Sequence, residues 1–240
     1  MREKKPLKKI ILTAATVVFM AGLGWFFMDP EGRAMDRKKD PERIELPRPI
    51  AIQGDALAEV LAARRSVRQF SGEELTLAEI SSLVWAGQGV TSARGFRTAP
   101  SAGALYPLET YLAAGDSDAL PAGIYHYRPQ PHQLRRIKSG DHRPALARAG
   151  WGQRAIAQAP LVVVITGVLE RTTIKYGQRG KRYMHMEAGH AAQNILLAAV
   201  AAGLGGVPIG AFADEEISRI LERSKKETPL YLIPVGHPAR

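Results

Sequence analysis

A stretch of 20 residues near the carboxyl end, MEAGHAAQNILLAAVAAGLG (186–205), limits how this chain can fold. Alanine and leucine favour a helix, and their spacing leaves it apolar on nearly every side, which predicts a buried position. Gly203 and Gly205 are placed to end this helix. Just upstream, PLVVVITGV (160–168) is a continuous β-branched run, which is typical of a central strand. A buried helix beside a buried strand predicts a layered domain with a sizeable core.

Other segments predict further elements, but without a regular βαβ repeat. A capping box from Thr76 to Glu79 marks the start of one more helix. The predicted elements are the helices 76–87 and 214–222, a helix that the arginines after residue 61 close, and the strands 108–114, 123–128 and 229–236. The mixture indicates the α+β class, with a sheet flanked by helices, over residues 54–240.

The amino terminus has the pattern of a membrane anchor. Residues 1–9 are basic, and residues 10–28 form an uncharged run that would span about 28 Å as a helix, enough for the hydrocarbon core of a bilayer. A cleaved signal peptide is the alternative, but no small-x-small site follows the run. We therefore expect a single-pass anchor in the cell membrane, with a cytoplasmic amino terminus and the domain on the outer, periplasmic or extracytoplasmic side. Residues 29–53, with four prolines and many charges, are expected to be an extended tether.

The charge of the chain does not indicate a nucleic-acid partner. The formal net charge is +10, and residues 51–240 carry 22 basic against 16 acidic side chains, without a basic run. This balance favours an anionic ligand only weakly. The chain has no cysteine, which excludes disulfides, thiolate metal sites and cysteine nucleophiles. The six histidines are scattered, and the five-residue spacing of His185 and His190 is not that of a helical metal pair, so no metal site is predicted.

One short segment, RRSVRQF (64–70), concentrates cationic donors. Guanidinium groups match phosphate oxygens in a bidentate way, and a serine hydroxyl adds a further donor, so Arg64, Arg65, Ser66 and Arg68 could converge on one phosphate. Alternatively, the arginines complement the negative end of the preceding helix dipole. The residues alone leave both interpretations open.

Two loops are rich in small residues. The first, RTAPSAGALYPLE (97–109), contains the run from Ser101 to Gly103, and the second, GLGGVPIGAFAD (203–214), follows the long helix. Backbone N–H groups in such loops can face a flat ligand, but tight turns without a ligand explain the composition equally well. Neither a Rossmann nor a P-loop signature occurs.

In this order, the blocks RRSVRQF, PSAGALYPLE, KYGQRGKRYMHMEAGHAAQNILLAAVAAGLG, VPIGAF and PLYLIPVG resemble the nitroreductase superfamily, and within it the SagB-type dehydrogenases that oxidise azolines. The resemblance covers about residues 45–238. It implies a nitroreductase-like fold, FMN as the cofactor and a homodimer with flavins at the interface. The implied reaction is a two-electron transfer through flavin N5, to or from a small organic or peptide-derived substrate.

The resemblance also implies roles for individual residues. It places Arg64, Arg65, Ser66 and Arg68 at the FMN phosphate and ribityl chain. It places the loop of Pro100, Ser101, Ala102 and Gly103 against the flavin from the partner subunit. It places Pro208, Ile209 and Gly210 at flavin N5 and O4, where backbone donors favour negative charge. Gln193 is expected in the helix interior or the flavin pocket, and Arg240 is expected to replace part of a longer carboxyl-terminal extension.

Lys175 and Tyr176 match a Lys–Tyr pair that is implied to remove a substrate proton while hydride moves to the flavin. The alternative is that Lys175 is a surface lysine in a loop that is generally basic. A second hypothesis from another class is a flavin-binding carrier or sensor at the membrane that performs no catalysis.

Overall fold

The computed structural model describes residues 42–49, 56–222 and 226–239. Within these ranges seven strands form one sheet in the order β1-β4-β3-β2-β5-β7-β6. The strands are β1 (Arg43–Glu45), β2 (Leu108–Ala114), β3 (Gly123–Arg128), β4 (Gln133–Ser139), β5 (Leu161–Val168), β6 (Gly205–Gly206) and β7 (Glu227–Gly236). All neighbouring strands pair antiparallel. Three predicted strands, 108–114, 123–128 and 160–168, are confirmed, and 229–236 is the greater part of β7.

Strand β5 lies between β2 and β7, near the middle of the sheet. Its side chains alternate between the two faces: Val163 and Ile165 join one buried cluster, and Val162 and Val164 join the other. A strand that is buried on both faces needs apolar residues at consecutive positions. The continuous β-branched run is therefore explained, as predicted, by the central position of β5 in the sheet.

Helices cover both faces of the sheet. They are α1 (Ala56–Ala63), α2 (Leu77–Gln88), α3 (Arg143–Ala149), α4 (Arg154–Gln158), α5 (Glu170–Tyr176), α6 (Arg179–Ala201) and α7 (Asp214–Ile220). The buried cluster on one face contains residues of α2 and α6, and the cluster on the other face contains residues of α3, α4 and α7. This arrangement confirms the predicted α+β class.

The capping box of α2 is present as predicted. The Thr76 Oγ1 accepts a hydrogen bond from the Glu79 N–H at 3.2 Å, and Glu79 Oε2 accepts one from the Thr76 N–H at 2.7 Å. Two donors at the helix start are thus satisfied reciprocally.

The long helix α6 differs from its prediction in length and in burial. It begins at Arg179, two turns before the apolar stretch, and only one side of it is fully buried. Met186, His190 and Gln193 are exposed. Of the two positions expected for Gln193, the interior of the fold is wrong for this chain taken alone, because the opposite side of the helix packs on the sheet. The flavin pocket stays a prediction.

Several elements were not predicted, and one lies in the expected tether. Strand β1 pairs with β4 through Ile44 and Leu134, and the Pro47 carbonyl accepts a hydrogen bond from Ser81 Oγ at 2.6 Å. The described part of 29–53 is therefore attached to the domain at these points.

The predicted anchor, 10–28, and the basic segment 1–9 lie outside the described residues, as do most of the expected tether and Arg240. Among residues 42–49, 56–222 and 226–239, no helix has the length and apolar character that crossing a bilayer requires.

Candidate active site

The arginine-rich segment 64–70 runs along the edge of the sheet next to β6. Ser66 forms a parallel bridge with Gly206, and the Val67 N–H donates to the Gly206 carbonyl at 3.0 Å. Arg65, Ser66 and Arg68 are exposed, and Arg64 is half-buried. The segment therefore presents its polar side chains to solvent while its backbone is fixed.

Glycine at the edge strand is what allows this close approach. A Cβ at Gly205 would lie 2.5 Å from Val67 Cγ2, and a Cβ at Gly206 would lie 2.9 Å from the Pro234 carbonyl oxygen. A side chain at Gly205 would push the arginine-rich segment off the sheet, whereas one at Gly206 would meet strand β7. The small residues of this loop thus have a structural role that holds whether or not a ligand binds.

The contacts of Arg65 support the alternative interpretation, in which the arginines complement the negative end of the preceding helix. Its Nη1 donates to the Ala62 carbonyl at 2.9 Å and to the Arg64 carbonyl at 2.8 Å, both at the end of α1. A cation at this end complements the helix dipole. In the structure, Arg65 therefore completes the helix end, and it would have to reorient to bind an anion with its full guanidinium fork.

The loop after β6 offers fewer free amides than predicted. The Ile209 N–H donates to the Leu232 carbonyl at 2.8 Å, and the Leu232 N–H donates to the Ile209 carbonyl at 2.9 Å. Pro208 has no N–H to donate. Gly210 is exposed, with open space where a Cβ would stand. Of the three predicted residues, Gly210 is thus the one whose amide can face a ligand.

The Pro100–Gly103 loop is held in an unusual backbone conformation. Gly103, Ala104 and Tyr106 all have positive φ values, of 63°, 54° and 46°. For residues other than glycine such values are uncommon and costly, and they are enriched at functional sites. The Tyr106 N–H donates to Ser101 Oγ at 2.9 Å, and Arg171 Nη1 donates to the Tyr106 carbonyl at 3.0 Å. These bonds fix the loop against its neighbours.

Lys175 and Tyr176 lie against this loop. They end helix α5, and a Cβ at Gly103 would stand 2.8 Å from Tyr176 Oη and 3.0 Å from Lys175 Nζ. Lys175 is exposed and its Nζ lies 5.5 Å from the Tyr176 ring centre, while Tyr183 packs edge-on against that ring. The structure therefore brings the predicted proton-transfer pair together with the predicted flavin loop.

A buried polar cluster underneath the loop was missed by the sequence analysis. Glu187 on α6 is 2 % exposed, and burial raises the pKa of its carboxyl to about 7, against opposing effects of the Ser101 hydroxyl and the Arg97 charge. Arg97 Nη1 donates to Gln88 Oε1 at 2.6 Å, and its guanidinium lies 4.4 Å from the Tyr106 ring centre. The register of α6 could have revealed Glu187, since it shares the buried side with Met184 and Ala188.

A second polar network anchors the same region from β2. Glu109 accepts hydrogen bonds from Arg171 Nη2 at 2.5 Å and pairs with His126 Nε2 at 2.8 Å. Burial acts to raise the pKa of Glu109, but the bonds from His126 and Arg171 outweigh it and lower that pKa. Because Arg171 also holds Tyr106, this network ties α5 to the strained loop.

Within one chain, the predicted site residues form two groups rather than one. Strand β6, on which the arginine-rich segment lies, meets α6 near Leu196, where a Cβ on Gly206 would lie 3.3 Å from Leu196 Cδ2, while the loop group surrounds Glu187. Nine helical residues separate these points, a rise of about 14 Å. Among the described residues no three His, Asp or Glu side chains cluster as metal ligands.

Comparison with known proteins identifies the family. The model of the nitroreductase family matches residues 61–237. A protein of Methanocaldococcus jannaschii described as a nitroreductase is 48% identical over 197 residues, which cover 82% of this chain and 97% of that protein. The trifolitoxin operon protein TfxC of Rhizobium leguminosarum is 26% identical, over 86% of this chain and 63% of its own length.

Solved structures agree with this assignment. A nitroreductase from Ralstonia eutropha superposes with a TM-score of 0.73 and 28% identity, over 83% of this chain and 90% of that one. The Escherichia coli microcin synthetase complex McbBCD shares the fold alone, with a TM-score of 0.64 at 22% identity, over 81% of this chain and 76% of the matched chain. The resemblance to the superfamily that includes SagB-type dehydrogenases is confirmed, and the chain belongs to the nitroreductase family of oxidoreductases.

Proposed function

We propose that this protein is an FMN-dependent oxidoreductase that acts on a small organic or peptide-derived substrate. The observation that carries the proposal is the fixed arginine-rich segment, whose exposed Arg65, Ser66 and Arg68 lie along β6, the strand that leads into the open loop at Gly210. Guanidinium and hydroxyl donors next to an uncovered backbone suit a phosphate joined to a flat ring system. Bound FMN would supply two-electron hydride chemistry at its N5 atom.

Residues of two segments would bind the cofactor. Arg64, Arg65, Ser66 and Arg68 would hold the phosphate, and the Gly210 amide would face the polar edge of the ring. Donors fixed before reaction cost no reorganisation when negative charge develops nearby.

Lys175 and Tyr176 would remove a proton from the substrate. Their contact with Gly103 supports this role, because a base must be held at a fixed place relative to the cofactor loop. The strained loop from Pro100 to Gly103 would define that place.

We propose further that the active form is a homodimer. Leu57 and Leu61 on α1 are 58 % and 52 % exposed, and Met186 on α6 is 54 % exposed. Helices α1 and α6 contact each other, and we place these exposed side chains in one interface. A two-fold interface there would bring the arginine-rich segment of one protomer to the loop group of its partner. The 14 Å separation of the two groups would then be functional.

The placement of the protein is also a proposal. Residues 10–28 would anchor the chain in the membrane with the domain outside the cytoplasm, on the strength of the uncharged run and its basic flank. A reporter fused after residue 240 tests this topology. A reporter that is active only in the cytoplasm would contradict it.

The first test of the function is FMN binding by the purified full-length protein, followed by flavin absorbance after gel filtration. We expect retained FMN in the wild type and at least a tenfold weaker affinity in an Arg65→Ala/Arg68→Ala variant, since charge-assisted bonds to phosphate are lost. An Arg148→Ala/Arg154→Ala variant removes two exposed arginines elsewhere and serves as the matched control. Folded protein that takes up no FMN would reject the proposal.

Replacement of Lys175 by Ala distinguishes an enzyme from a flavin-binding carrier that performs no catalysis. If Lys175 is the base, turnover falls by about a hundredfold or more while FMN affinity is retained. Wild-type protein that binds FMN but turns over with no donor and acceptor pair would instead favour a flavin carrier.

A further inference from the structure

The polar cluster beneath the flavin loop contains side-chain atoms that lack partners. Both carboxylate oxygens of Glu187 and the Nε2 of Gln88 are buried, and within the described ranges none has a hydrogen-bond partner. The Ser101 hydroxyl lies near enough to act on the carboxyl and lower its pKa, but no hydrogen bond of ordinary geometry joins the two side chains. Buried polar atoms without partners are costly, and native proteins keep few of them. This group therefore requires an explanation other than stability.

Among the described residues, Arg97 is the cation whose charge lowers the pKa of the Glu187 carboxyl. In the structure it donates to Gln88 Oε1, which leaves Glu187 without a counter-ion in hydrogen-bond contact. A buried carboxylate in that situation would be strongly disfavoured, whereas a neutral carboxyl is tolerated. The arrangement thus corresponds to the protonated form of Glu187. Its raised pKa agrees with this conclusion.

The surrounding charged groups explain why Arg97 can change partner. Burial lowers the pKa of Arg97, while Glu109, Tyr106 and Glu187 act to raise it and Arg171 acts to lower it. From α2 the facing group is the uncharged amide of Gln88, and from α5 the facing groups are Arg171 and the pair of Lys175 and Tyr176, which reach the loop at Gly103. Ionised Glu187 would therefore compete with Gln88 for the guanidinium of Arg97.

Movement of Arg97 would change the conformation of the flavin loop, because hydrogen bonds connect the two. The Arg97 N–H donates to Tyr106 Oη at 3.2 Å, and the Tyr106 N–H donates to Ser101 Oγ. The same loop places Gly103 against Lys175 and Tyr176. Because Gly103 at the end of this loop, and Ala104 and Tyr106 just after it, have positive φ, the conformation of the loop depends on these bonds.

We propose that Glu187 is a positioning residue: protonated, it leaves Arg97 on Gln88 and holds the loop against the Lys175–Tyr176 pair, and ionised, it draws Arg97 away and loosens that contact. The proposal rests on the proposed function only in treating this loop as the flavin loop. Glu187 itself touches neither reacting atoms nor cofactor in this scheme and acts through Arg97 and Ser101.

The first experiment needs no cofactor. Full-length protein with ¹³C-labelled Glu and ¹⁵N-labelled Gly is titrated between pH 4 and 9 and followed by NMR. We expect one carboxyl signal with a midpoint near 7, absent from Glu187→Gln, and a Gly103 amide signal that moves with the same midpoint. A Glu187 midpoint near 4.5 would overturn the proposal, as would a Gly103 signal that does not follow the carboxyl.

The second experiment measures the dissociation constant of FMN between pH 6 and 8. Binding linked to one proton changes by at most tenfold per pH unit, so we expect about a tenfold weakening from pH 6 to pH 8 in the wild type. Glu187→Gln should stay at the pH 6 value throughout, and Glu187→Asp should regain a pH dependence. His185→Gln removes an exposed histidine of the same helix and should keep the wild-type profile.

The outcomes separate the two proposals. A flat wild-type profile with normal FMN binding would overturn the role of Glu187 and leave the proposed function intact. Protein that binds no FMN at any pH would reject the proposed function, and the NMR titration would then decide on Glu187 alone.

Discussion

Single residues in this protein carry requirements that only their surroundings reveal. Gly103 favours glycine because its φ is +63° and because a methyl group there would displace the ends of the Tyr176 and Lys175 side chains. Glu187 is an acid in a place where an alanine would pack. Both residues lie in or under the strained loop, where deviations from ordinary local preference are expected to mark function.

We predict that Gly103→Ala lowers the stability of the fold only slightly but lowers turnover strongly. The positive φ should cost about 1 kcal/mol of unfolding free energy, and displacement of the Lys175–Tyr176 pair should lower turnover by about tenfold or more. Gly95→Ala is the matched control, because Gly95 has φ +78° with nothing within 4 Å of the added Cβ. Urea denaturation and steady-state rates are the measurements. Equal loss of turnover in both variants would contradict the prediction.

For Glu187 we predict a pH dependence of stability. Its pKa in the folded protein, about 7, lies above the ordinary 4.5, so the folded state loses stability as the pH rises through this interval and levels off above 7. The shift corresponds to about 3 kcal/mol at most, and relaxation and water penetration reduce the expected loss to about 2 kcal/mol. Glu187→Gln should lack this component in urea denaturation at pH 4.5 and pH 8. If the wild type and Glu187→Gln lost the same unfolding free energy between pH 4.5 and pH 8, the predicted contribution of Glu187 would be ruled out.

At the level of elements, the decisive contact is the one between the arginine-rich segment and β6. The segment has no regular structure of its own beyond its bridges to Gly206 and Pro238, and the glycines of β6 let it lie directly on the sheet. Its arginines are therefore placed both by the end of α1, through Arg64 and Arg65, and by the contact with β6.

We predict that Gly205→Ala disturbs this contact. The added methyl would meet Val67 at 2.5 Å, so the segment must shift, with a cost of about 1–3 kcal/mol and at least a tenfold loss of FMN affinity. Gly210→Ala adds a methyl into open space and should change the free energy of unfolding of the cofactor-free protein by less than about 0.5 kcal/mol. Unfolding in urea and FMN titration provide the comparison. A Gly205→Ala protein with unchanged FMN affinity would show that the segment does not hold the phosphate.

Sequence patterns predicted strand β5 fully, because it is buried on both faces and apolar throughout. They predicted that helix α6 exists but not that one side of it is exposed, because its apolar composition does not distinguish the two sides. Strand β4 (QLRRIKS) and helix α5 (ERTTIKY) mix charges with apolar residues, because each is only partly covered, and their patterns fit a loop as well. The Ile209 N–H is taken up by a hydrogen bond to the Leu232 carbonyl. This bond depends on the register between distant segments, which a local sequence pattern does not reveal.

For the whole molecule, the exposed side formed by α1 and α6 is the feature that one chain does not explain. The sequence favoured a helix buried all round, and the single chain buries one side of it only. A second protomer on that side would account for both the composition of α6 and the separation of the two groups of site residues.

We predict that Leu57→Glu/Leu61→Glu gives a folded monomer with at least tenfold weaker FMN binding, because charges replace apolar side chains at the proposed interface. Trp151→Ser removes a larger exposed side chain, 70 % exposed, outside α1 and α6 and should leave the oligomeric state unchanged. Sedimentation velocity measures the mass of each variant. A Leu57/Leu61 variant that stays dimeric would place the interface elsewhere.

The docking of Ser66 and Val67 on Gly206 has one more consequence, for solubility. A bare edge strand offers unpaired N–H and C=O groups to other molecules, and β6 is the last strand of the sheet on its side. The arginine-rich segment covers this edge and surrounds it with positive charge. A substitution that releases the segment would therefore expose a surface prone to aggregation, and loss of cofactor and loss of soluble protein would arise from the same event.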